Sequence, residues 1–527
     1  MKLRAPAVPL ITVDPYFSVW SCRDTLNEAA TCHWTGHCNT INGMLWIDGE
    51  QYRFMGGEEA GGIPMRQISM EITALATQYV FEAHGVRLTA RFFTPVFADD
   101  LLLCSRPVSY LALRTEALDG NAHALRAELS ASEELCLDTA RQEPVTVETV
   151  SCGSGIEAVK IGGTTQPILK NAGDDTRIDW GYFYLCVQSG KAGWRKVKGE
   201  TFVTAEAALS EGNALFAFAY DDIDSIEYFK KPLKAYWKRS GKTIEEAIAD
   251  AFAEYPALCA REREFSQTLT RKATEAGGEI YADMLTLAYR QVMAAAAVTA
   301  GAGTELFAEN RALFAQWADY LIAHGEDPAD QICTDDFFRH LAHNCNLGLK
   351  AIMGIASMAI LLTRTGDSEA AARYRDTART MARSWVSRAA KGDGSFRLAF
   401  DQPDTFSLKY NIVWDKLFGT GLFTEQELAD EFASYHQYTN RYGTPLDSRG
   451  STSKSDWQAW TGVLAKDSAE FEAFMTPVWR YFNEMESRVP MADWYSTKTA
   501  KYFYMMHRSV QGGLFIRLLA QEDTCRI

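Results

Sequence analysis

The chain has 527 residues, which is more than one hydrophobic core usually organises, so we expect two large domains. It carries 53 Lys and Arg residues against 68 Asp and Glu residues, a formal net charge of −15. This balance argues against a nucleic acid or an anionic membrane as partner, because both would require a basic face.

The sequence has no convincing targeting signal. Residues 1–15 contain only a short apolar run broken by prolines, and no segment looks both long and apolar enough to span a bilayer. The 11 cysteines lack a regular spacing, which fits free thiols in a reducing compartment better than a disulfide framework. We therefore expect a cytoplasmic protein.

The N-terminal part, to about residue 225, is typical of β structure. Short segments alternate between apolar and polar residues, for example 77–83 and 86–93, and turn dipeptides such as Asp48-Gly49 and His84-Gly85 separate them. Many short strands without intervening helices predict an antiparallel β-sandwich, which we assign to residues 1–240.

Helical patterns dominate after the boundary near residue 240. Residues 241–277 are interpreted as a linking helical segment. Helices are then predicted at 278–299, 307–324, 344–364, 367–390, 425–440, 457–465, 467–487 and 501–520. Thr424 and Glu427 form a capping-box pattern, and Asp367, Asp456 and Asp467 stand where N-caps belong. Residues 347–362 are apolar nearly all round and should lie in the interior.

Four pairings of Asp with Trp mark the edges of these predicted helices. A carboxylate beside an indole face offers a polar small molecule an acceptor and an apolar wall together. The pairs are Trp317 with Asp319, Trp414 with Asp415, Asp456 with Trp457, and Asp493 with Trp494.

Residues 333–345 bring two acids and two histidines to a loop before the most apolar helix. Asp335 or Asp336 is a candidate acid or base, with His343 orienting the substrate. Alternatively, Asp335 caps the helix, and His340 and His343, three residues apart on one helix face, satisfy buried backbone groups. A zinc site formed with Cys333 and Cys345 would match no standard ligand spacing, so no metal is expected.

Three further clusters have both a functional and a structural interpretation. Trp414 and Asp415 either line a pocket or form a core indole beside a surface acid. Arg449 and Lys454 could grip a carboxylate. They lie near Asp447 and Asp456, of which Asp456 is equally suited to be an N-cap. Asp493 and Trp494, in the segment 489–495, either face the substrate or belong to a packed loop.

Several common catalytic patterns are absent from the sequence. It has no phosphate-binding Walker loop, no glycine-rich dinucleotide fingerprint, no zinc-protease helix motif and no serine-nucleophile elbow. Nucleotide cofactors and serine-hydrolase chemistry are therefore disfavoured. Paired carboxylates that activate water fit what remains.

Long blocks of the sequence resemble the fungal and bacterial glutaminase A family. The blocks are 9–20, 31–36, 52–56, 101–110, 177–182, 316–321, 333–354, 410–417, 445–457 and 488–495. The resemblance implies a β-sandwich joined to a six-hairpin (α/α) toroid like that of many glycosidases. It also implies release of ammonia from L-glutamine without an organic cofactor. Asp335, Asp336, His343, Asp415, Asp447, Arg449, Lys454, Asp456 and Asp493 match its characteristic blocks.

One departure from the family concerns residues 294–307, which run almost directly into Arg311. Family members carry a long segment at this point that includes an acidic stretch. A closed ring of six hairpins needs twelve helices, whereas 278–527 supplies about nine or ten by these signals. We therefore expect an (α/α) toroid that is incomplete and shortened near 300–310, with apolar helix faces left for a second copy of the chain to cover.

These patterns together predict a two-domain hydrolase acting on glutamine or a related small amide. Asp335 or Asp336 would activate water, and Asp447 or Asp456 would be the opposite acid. The substrate side would be formed by His343, Trp414, Asp415, Arg449, Lys454, Trp457, Asp493 and Trp494. Two alternatives stay open: a glycoside hydrolase built on the same toroid and acting on a sugar, and a degenerate relative without catalysis.

Overall fold

A computed structural model describes residues 2–171, 173, 175–209, 211–295, 305–331 and 336–521. The first part of the chain is built from nineteen strands and one short helix, α1 (Leu101–Ser105). The strands are β1 (Val8–Thr12), β2 (Ser18–Ser21), β3 (Cys32–His33), β4 (Ile41–Ile47), β5 (Glu50–Met55), β6 (Ile63–Pro64), β7 (Arg66–Ile72), β8 (Ala76–Ala83), β9 (Val86–Phe93), β10 (Val108–Ala117), β11 (Leu125–Ser132), β12 (Val145–Gly153), β13 (Ile156–Gly163), β14 (Tyr182–Gln188), β15 (Lys191–Val197), β16 (Glu200–Ala208), β17 (Asn213–Asp221), β18 (Ile226–Tyr228) and β19 (Lys231–Leu233).

Two sheets form an antiparallel sandwich, as predicted. One sheet has eight strands in the order β12-β13-β14-β17-β10-β9-β8-β7, and the other has six in the order β15-β16-β11-β4-β5-β6. A smaller sheet, β1-β2-β3, adjoins them. Only the short contact between β5 and β6 is parallel among the described strand pairs of the sandwich.

The alternation in β8 and β9 explains how this sandwich closes. Tyr79, Phe81 and Leu88 are fully buried between the sheets, whereas Gln78 and Thr89 lie on the opposite, outer face. The hairpin between these strands turns at His84 and Gly85, which have φ values of +44° and +74°. Positive φ at both positions gives a turn whose twist matches that of the strands.

The rest of the chain is mostly helical. The helices are α2 (Ile244–Ala295), α3 (Glu305–Glu309), α4 (Arg311–His324), α5 (Cys345–Arg364), α6 (Ser368–Ala389), α7 (Val413–Phe418), α8 (Glu425–Ser434), α9 (Ser455–Gly462), α10 (Ser468–Glu484) and α11 (Ile516–Gln521). Two three-residue strands, β20 (Thr452–Lys454) and β21 (Trp494–Ser496), lie among them.

Helix α2 is interrupted at Gly277 and Gly278, where α10 packs against it. Gly278 has a φ of +81°, and a Cβ there would lie 2.3 Å from the Glu472 carboxyl carbon. A Cβ on Gly277 would lie 2.6 Å from the Phe471 ring. Glycine is therefore required at both positions, and the chain changes direction there before continuing as helix to residue 295.

The predicted helix starts are confirmed where the capping pattern is local. Thr424 and Glu427 form both hydrogen bonds of the capping box of α8. Asp367 caps α6 by accepting from the Ala370 amide, and Asp467 caps α10 by accepting from the Glu470 amide. The proposed cap at Asp456 is wrong, because α9 begins one residue earlier and Asp456 lies in its first turn.

Helix α5 is the core helix of this half. Twelve of its 20 residues are buried, and it packs between α4 and α6. Its length and mean hydropathy of 1.7 would also suit a membrane span, contrary to the expectation that no segment is long and apolar enough. However, 67% of its most apolar 18-residue stretch is buried inside the fold. The same features are typical of a core helix in a globular domain.

The described residues of the helical part contain fewer long helices than a closed ring needs. In the described residues after Gly278 there are ten helical segments, and five of them have 14 or more residues. Helix α4 also leaves large side chains in solvent: Leu313 is 41% exposed, Trp317 54% and Tyr320 64%. Such a face agrees with an open ring. Its burial against a second copy stays a prediction.

The predicted helix at 501–520 is wrong over its first half. The Asp493 amide donates to the Met505 carbonyl and the Phe503 amide donates to the Trp494 carbonyl, so this segment pairs with the 491–496 segment. A 3₁₀ turn at Ser509–Phe515 and then α11 follow. Pairing with a distant segment overrides the local helical pattern here.

Candidate active site

Two short strands bring the 452–457 and 491–496 segments together. Lys454 of β20 lies opposite Trp494 of β21, and the Ser455 amide donates to the Asp493 carbonyl over 2.9 Å. Asp456 follows in the first turn of α9. This pairing places the Lys454 ammonium and the carboxylates of Asp456 and Asp493 in one buried group.

The Lys454 ammonium is the centre of this group. Its side chain is 2% exposed and donates to the Asp493 carboxylate, and its Nζ lies 3.9 Å from Oδ1 of Asp456. Arg508 adds a second cation, with Nη1 3.2 Å from Oδ2 of Asp493. The positive charges of Lys454 and Arg508 therefore offset the negative charges of the two acids, as burial of charged groups requires. We call Lys454, Asp456, Asp493 and Arg508 the acid cluster.

Asp456 has the most perturbed carboxyl of the acid cluster. Burial raises its pKa to about 7, the Lys454 charge opposes that rise, and the Asp493 charge adds to it. Its Oδ1 accepts no hydrogen bond from the described residues. A carboxyl with a pKa near neutrality can both take and return a proton under physiological conditions, which is what a general base or acid requires.

The raised pKa predicts a pH-dependent stability. Between about pH 4 and pH 7 the folded protein keeps a proton on Asp456 that the unfolded chain, with an ordinary value of 3.8, has released. The free energy of unfolding should therefore fall as pH rises through this window, by up to ~4 kcal/mol, and then level off. Denaturant unfolding at several pH values measures it. Asp456→Asn should flatten the slope, and an unchanged slope in that variant would contradict the assignment.

Polar atoms without partners surround the two acids. In the described part of the chain, Asp493 Oδ1, Trp494 Nε1 and Gln511 Nε2 have no hydrogen-bond partner, although each is buried. The Gln511 side chain is held in place because its Oε1 accepts from the Ser455 hydroxyl over 3.2 Å. Unsatisfied buried donors and acceptors are costly, so their grouping around two carboxylates is typical of a site for a polar ligand.

Aromatic rings form the wall of the acid cluster. Trp457 stacks on Tyr410 with ring centroids 4.3 Å apart. Phe337 lies 4.9 Å from the Trp494 ring, 5.7 Å from the Trp457 ring and 4.8 Å below the Lys454 ammonium. An ammonium over an aromatic face is stabilised by the ring quadrupole. Two of the four predicted pairs of acid and indole therefore meet at one place.

Asp447 and Arg449 lie beside this wall but are bound to each other. Asp447 is fully buried, and Arg449 grips it with Nη2 on Oδ2 at 2.6 Å and Nε on Oδ1 at 3.1 Å. Arg449 Nη1 also donates to the Phe338 carbonyl over 3.2 Å. The pair holds the loop that carries it. The expected roles, with Asp447 as catalytic acid and Arg449 on the substrate, stay predictions.

His343 lies away from the acid cluster. Helix α5 begins only at Cys345, with Asn344 as its N-cap, so His340 and His343 do not share a helix face and Asp335 is not the cap. His343 is an exposed residue with a φ of +59°, and its ring bonds Asp327 over 2.8 Å. This contact raises the pKa of His343. The expectation that His343 orients the substrate is therefore not supported.

Trp414 and Asp415 also have other tasks. Asp415 is buried, and its carboxylate accepts from the Thr420 hydroxyl and the amides of Leu422 and Phe423, so it holds the loop after α7. Trp414 packs edge-on against Trp460 at 5.1 Å and lines a separate cavity of about 340 Å³. Likewise, Trp317 is exposed on α4, and Asp319 accepts from Tyr374.

The two remaining catalytic candidates cannot be placed by their side chains. Asp335 and Cys333 lie outside the described residues, and only the backbone of Asp336 is described, where it begins a 3₁₀ turn at Asp336–Phe338. Phe337, on the wall of the acid cluster, is the second residue of that turn. Among the described residues, no group of His, Cys, Asp and Glu is arranged to hold a metal ion, and all nine described cysteines are free thiols.

Four residues of the site have no clear sequence signal. Arg508 and Gln511 fall in the segment predicted to be a continuous helix, and Phe337 was only part of an acidic block. Gly513 approaches so closely that a Cβ there would lie 2.9 Å from the Asp456 Cβ. The contacts of Arg508, Gln511 and Gly513 with the site form only because the 505–513 segment folds onto α9.

Comparison with known proteins identifies the family. A model described as the glutaminase A six helical-hairpin domain matches residues 292–518, and two models described only as domains of unknown function match 1–69 and 75–214. Glutaminase A of Aspergillus oryzae is 22% identical over 673 aligned positions, covering 98% of this chain and 96% of that protein. Residues 292–518 thus carry a glutaminase A six helical-hairpin domain. The predicted recognition is confirmed.

Two further relatives complete the comparison. A probable glutaminase of Arthroderma benhamiae is 26% identical over 244 residues, which cover 40% of this chain and 28% of that protein. A bacterial glucoamylase crystallised with acarbose has a TM-score of 0.49 at 9% identity, covering 100% of this chain and 95% of that one. The 673 positions aligned with the Aspergillus glutaminase A exceed the 527 residues here, so a considerable part of that family member has no counterpart in this chain.

Proposed function

We propose that this chain is a hydrolase that releases ammonia from L-glutamine or a related small amide at the acid cluster. The proposal rests on the buried Asp456 carboxyl. Its pKa is about 7, and it lies in one group with Lys454 and Asp493. The resemblance to the glutaminase A family supports the choice of an amide, because two relatives are named glutaminase and probable glutaminase.

Asp456 is proposed to be the proton-transferring group. As the carboxylate it would take a proton from water while the water oxygen bonds to the amide carbon. It would then return that proton to the amide nitrogen as the carbon–nitrogen bond breaks, leaving a carboxylic acid and ammonia. One well-placed acid–base group of this kind typically contributes about 10²–10⁴-fold to a rate.

The two cations are proposed to have different tasks. The Lys454 ammonium would stabilise the negative charge that develops on the amide oxygen, an effect strengthened by the burial of its side chain. Arg508 has a side chain that is 40% exposed, so the acid cluster meets solvent at its guanidinium. We assign it, rather than Arg449, to the substrate carboxylate, because a planar guanidinium can bind a carboxylate with two hydrogen bonds.

An ammonia-release assay with purified full-length chain tests this function. We expect ammonia and a stoichiometric amount of L-glutamate from L-glutamine, and no nitrophenol from a panel of nitrophenyl glycosides. Release of nitrophenol without ammonia would instead favour the glycoside hydrolase. A thermal shift with glutamine but no ammonia would leave a binding protein without catalysis.

A further inference from the structure

A second cavity lies in the β-sandwich, far along the chain from the acid cluster. It is a groove of about 1020 Å³ on the outer face of the eight-stranded sheet. The first part of α2 covers one end of this face, where Ile248 and Phe252 pack on Tyr110 and Tyr184 in a common apolar cluster. The groove begins where that cover ends, and Tyr255 of α2 forms part of its wall.

Strand register places a row of polar side chains along the groove floor. Arg114 of β10 lies opposite Thr89 of β9 on one side and opposite Asn213 of β17 on the other. Residues directly opposite in antiparallel strands point to the same face of a sheet. The intervening positions Leu88 and Leu113 are buried, so Thr89, Arg114 and Asn213 all face the groove.

Arg114 differs from the other two arginines of the groove. Arg87 is paired with Glu82 at 2.7 Å, and Arg91 is paired with the buried Glu262 at 2.5 Å. By contrast, Arg114 is exposed and makes no hydrogen bond or ion pair with any described residue. An exposed guanidinium without an acidic partner on this polar floor is available to bind an anion from solution.

We infer that this groove binds a small organic anion whose carboxylate or phosphate group is held by Arg114. The Thr89 hydroxyl and the Asn213 amide would flank the anionic group on neighbouring strands. One Asn213 N–H already donates to the Glu211 carbonyl over 3.0 Å, which fixes the orientation of the amide. The groove volume is that of an ordinary small-molecule site. A guanidinium binds both oxyanion classes with paired hydrogen bonds.

The groove and the acid cluster share no residue, so the two sites are separable. Glu116 and Glu211 also line the groove and would repel an anion that bound only by long-range attraction. Binding should therefore depend on contact with Arg114 rather than on the general field. The inference does not rest on the proposed hydrolase.

Calorimetric titration of the full-length chain tests the groove, with succinate and inorganic phosphate as separate probes at constant ionic strength. We expect saturable binding of at least one probe, and the probe that binds names the anion class. Arg114→Gln should weaken that binding at least 10-fold. The matched control is Arg364→Gln, which replaces an exposed arginine at the end of α5 and should leave binding unchanged.

A second variant separates this site from the acid cluster. Asp456→Asn should bind the probe as the unaltered chain does, whether or not it still releases ammonia. Binding of neither probe, or equal binding in Arg114→Gln and the unaltered chain, would overturn the inference. Circular dichroism of Arg114→Gln is expected to be unchanged because the side chain is exposed and unpaired, so loss of binding would not reflect loss of the sheet.

Discussion

Asp456→Asn is expected to lower ammonia release from L-glutamine by about 10²–10⁴-fold, because the amide can neither take a proton from water nor return one. The side chain keeps its size, and its buried site keeps Lys454 beside it, so the fold should be retained. Steady-state assays of kcat and KM measure the loss. The matched control is Asp376→Asn, an exposed acid on α6, which should keep full activity.

The pH dependence of kcat/KM for the unaltered chain is a second test of the role of Asp456. If Asp456 acts as the base, kcat/KM should decline as pH falls below about 7, since protonation removes the group that activates water. Unchanged turnover in Asp456→Asn would remove Asp456 from the mechanism. In that case Asp336, which leads into the wall of the acid cluster, would be the next residue to test as asparagine.

Lys454→Met is expected to destabilise the protein by about 3–5 kcal/mol, because it leaves the buried Asp493 carboxylate without the ammonium that pairs with it. The Lys454 side chain is 2% exposed, so solvent cannot take over its role. Denaturant unfolding followed by tryptophan fluorescence measures the loss. Lys498→Met, which replaces an exposed lysine four positions after Trp494, should cost little.

A double variant distinguishes loss of the ion pair from loss of packing. Adding Asp493→Asn to Lys454→Met removes the stranded charge, so part of the lost stability should return. If the two substitutions instead add up to a still larger loss, the acid cluster is held by shape rather than by charge. Equal unfolding of Lys454→Met and the unaltered chain would contradict the buried ion pair altogether.

Features with local causes could be predicted from the sequence. The alternation of residues in β8 and β9 is enough to place Tyr79 and Phe81 in the sandwich core, because strand geometry sends successive side chains to opposite faces. The capping box at Thr424 and the caps at Asp367 and Asp467 need only residues within one helical turn. The family could also be recognised, since long sequence blocks carry it.

The roles of the acids could not be predicted in this way. Asp447 looked catalytic beside Arg449, yet the two residues are close enough along the chain to satisfy each other. Asp456 was equally suited to be an N-cap or a catalytic acid, and the cap is excluded because α9 already begins at Ser455. In both cases the residue type indicated a charged or capping role, but the sequence did not show which group the side chain would contact. That contact depends on the direction of the backbone at a loop.

The sequence was sufficient to predict a β-sandwich followed by helices and to recognise the resemblance to the glutaminase A family. Which charges meet depends on tertiary contacts. Lys454 and Asp493 are 39 residues apart, and they meet because three-residue strands pair across two loops. Such pairing is fixed by contacts distant in sequence, and the burial that raises the pKa of Asp456 exists only once those contacts have formed.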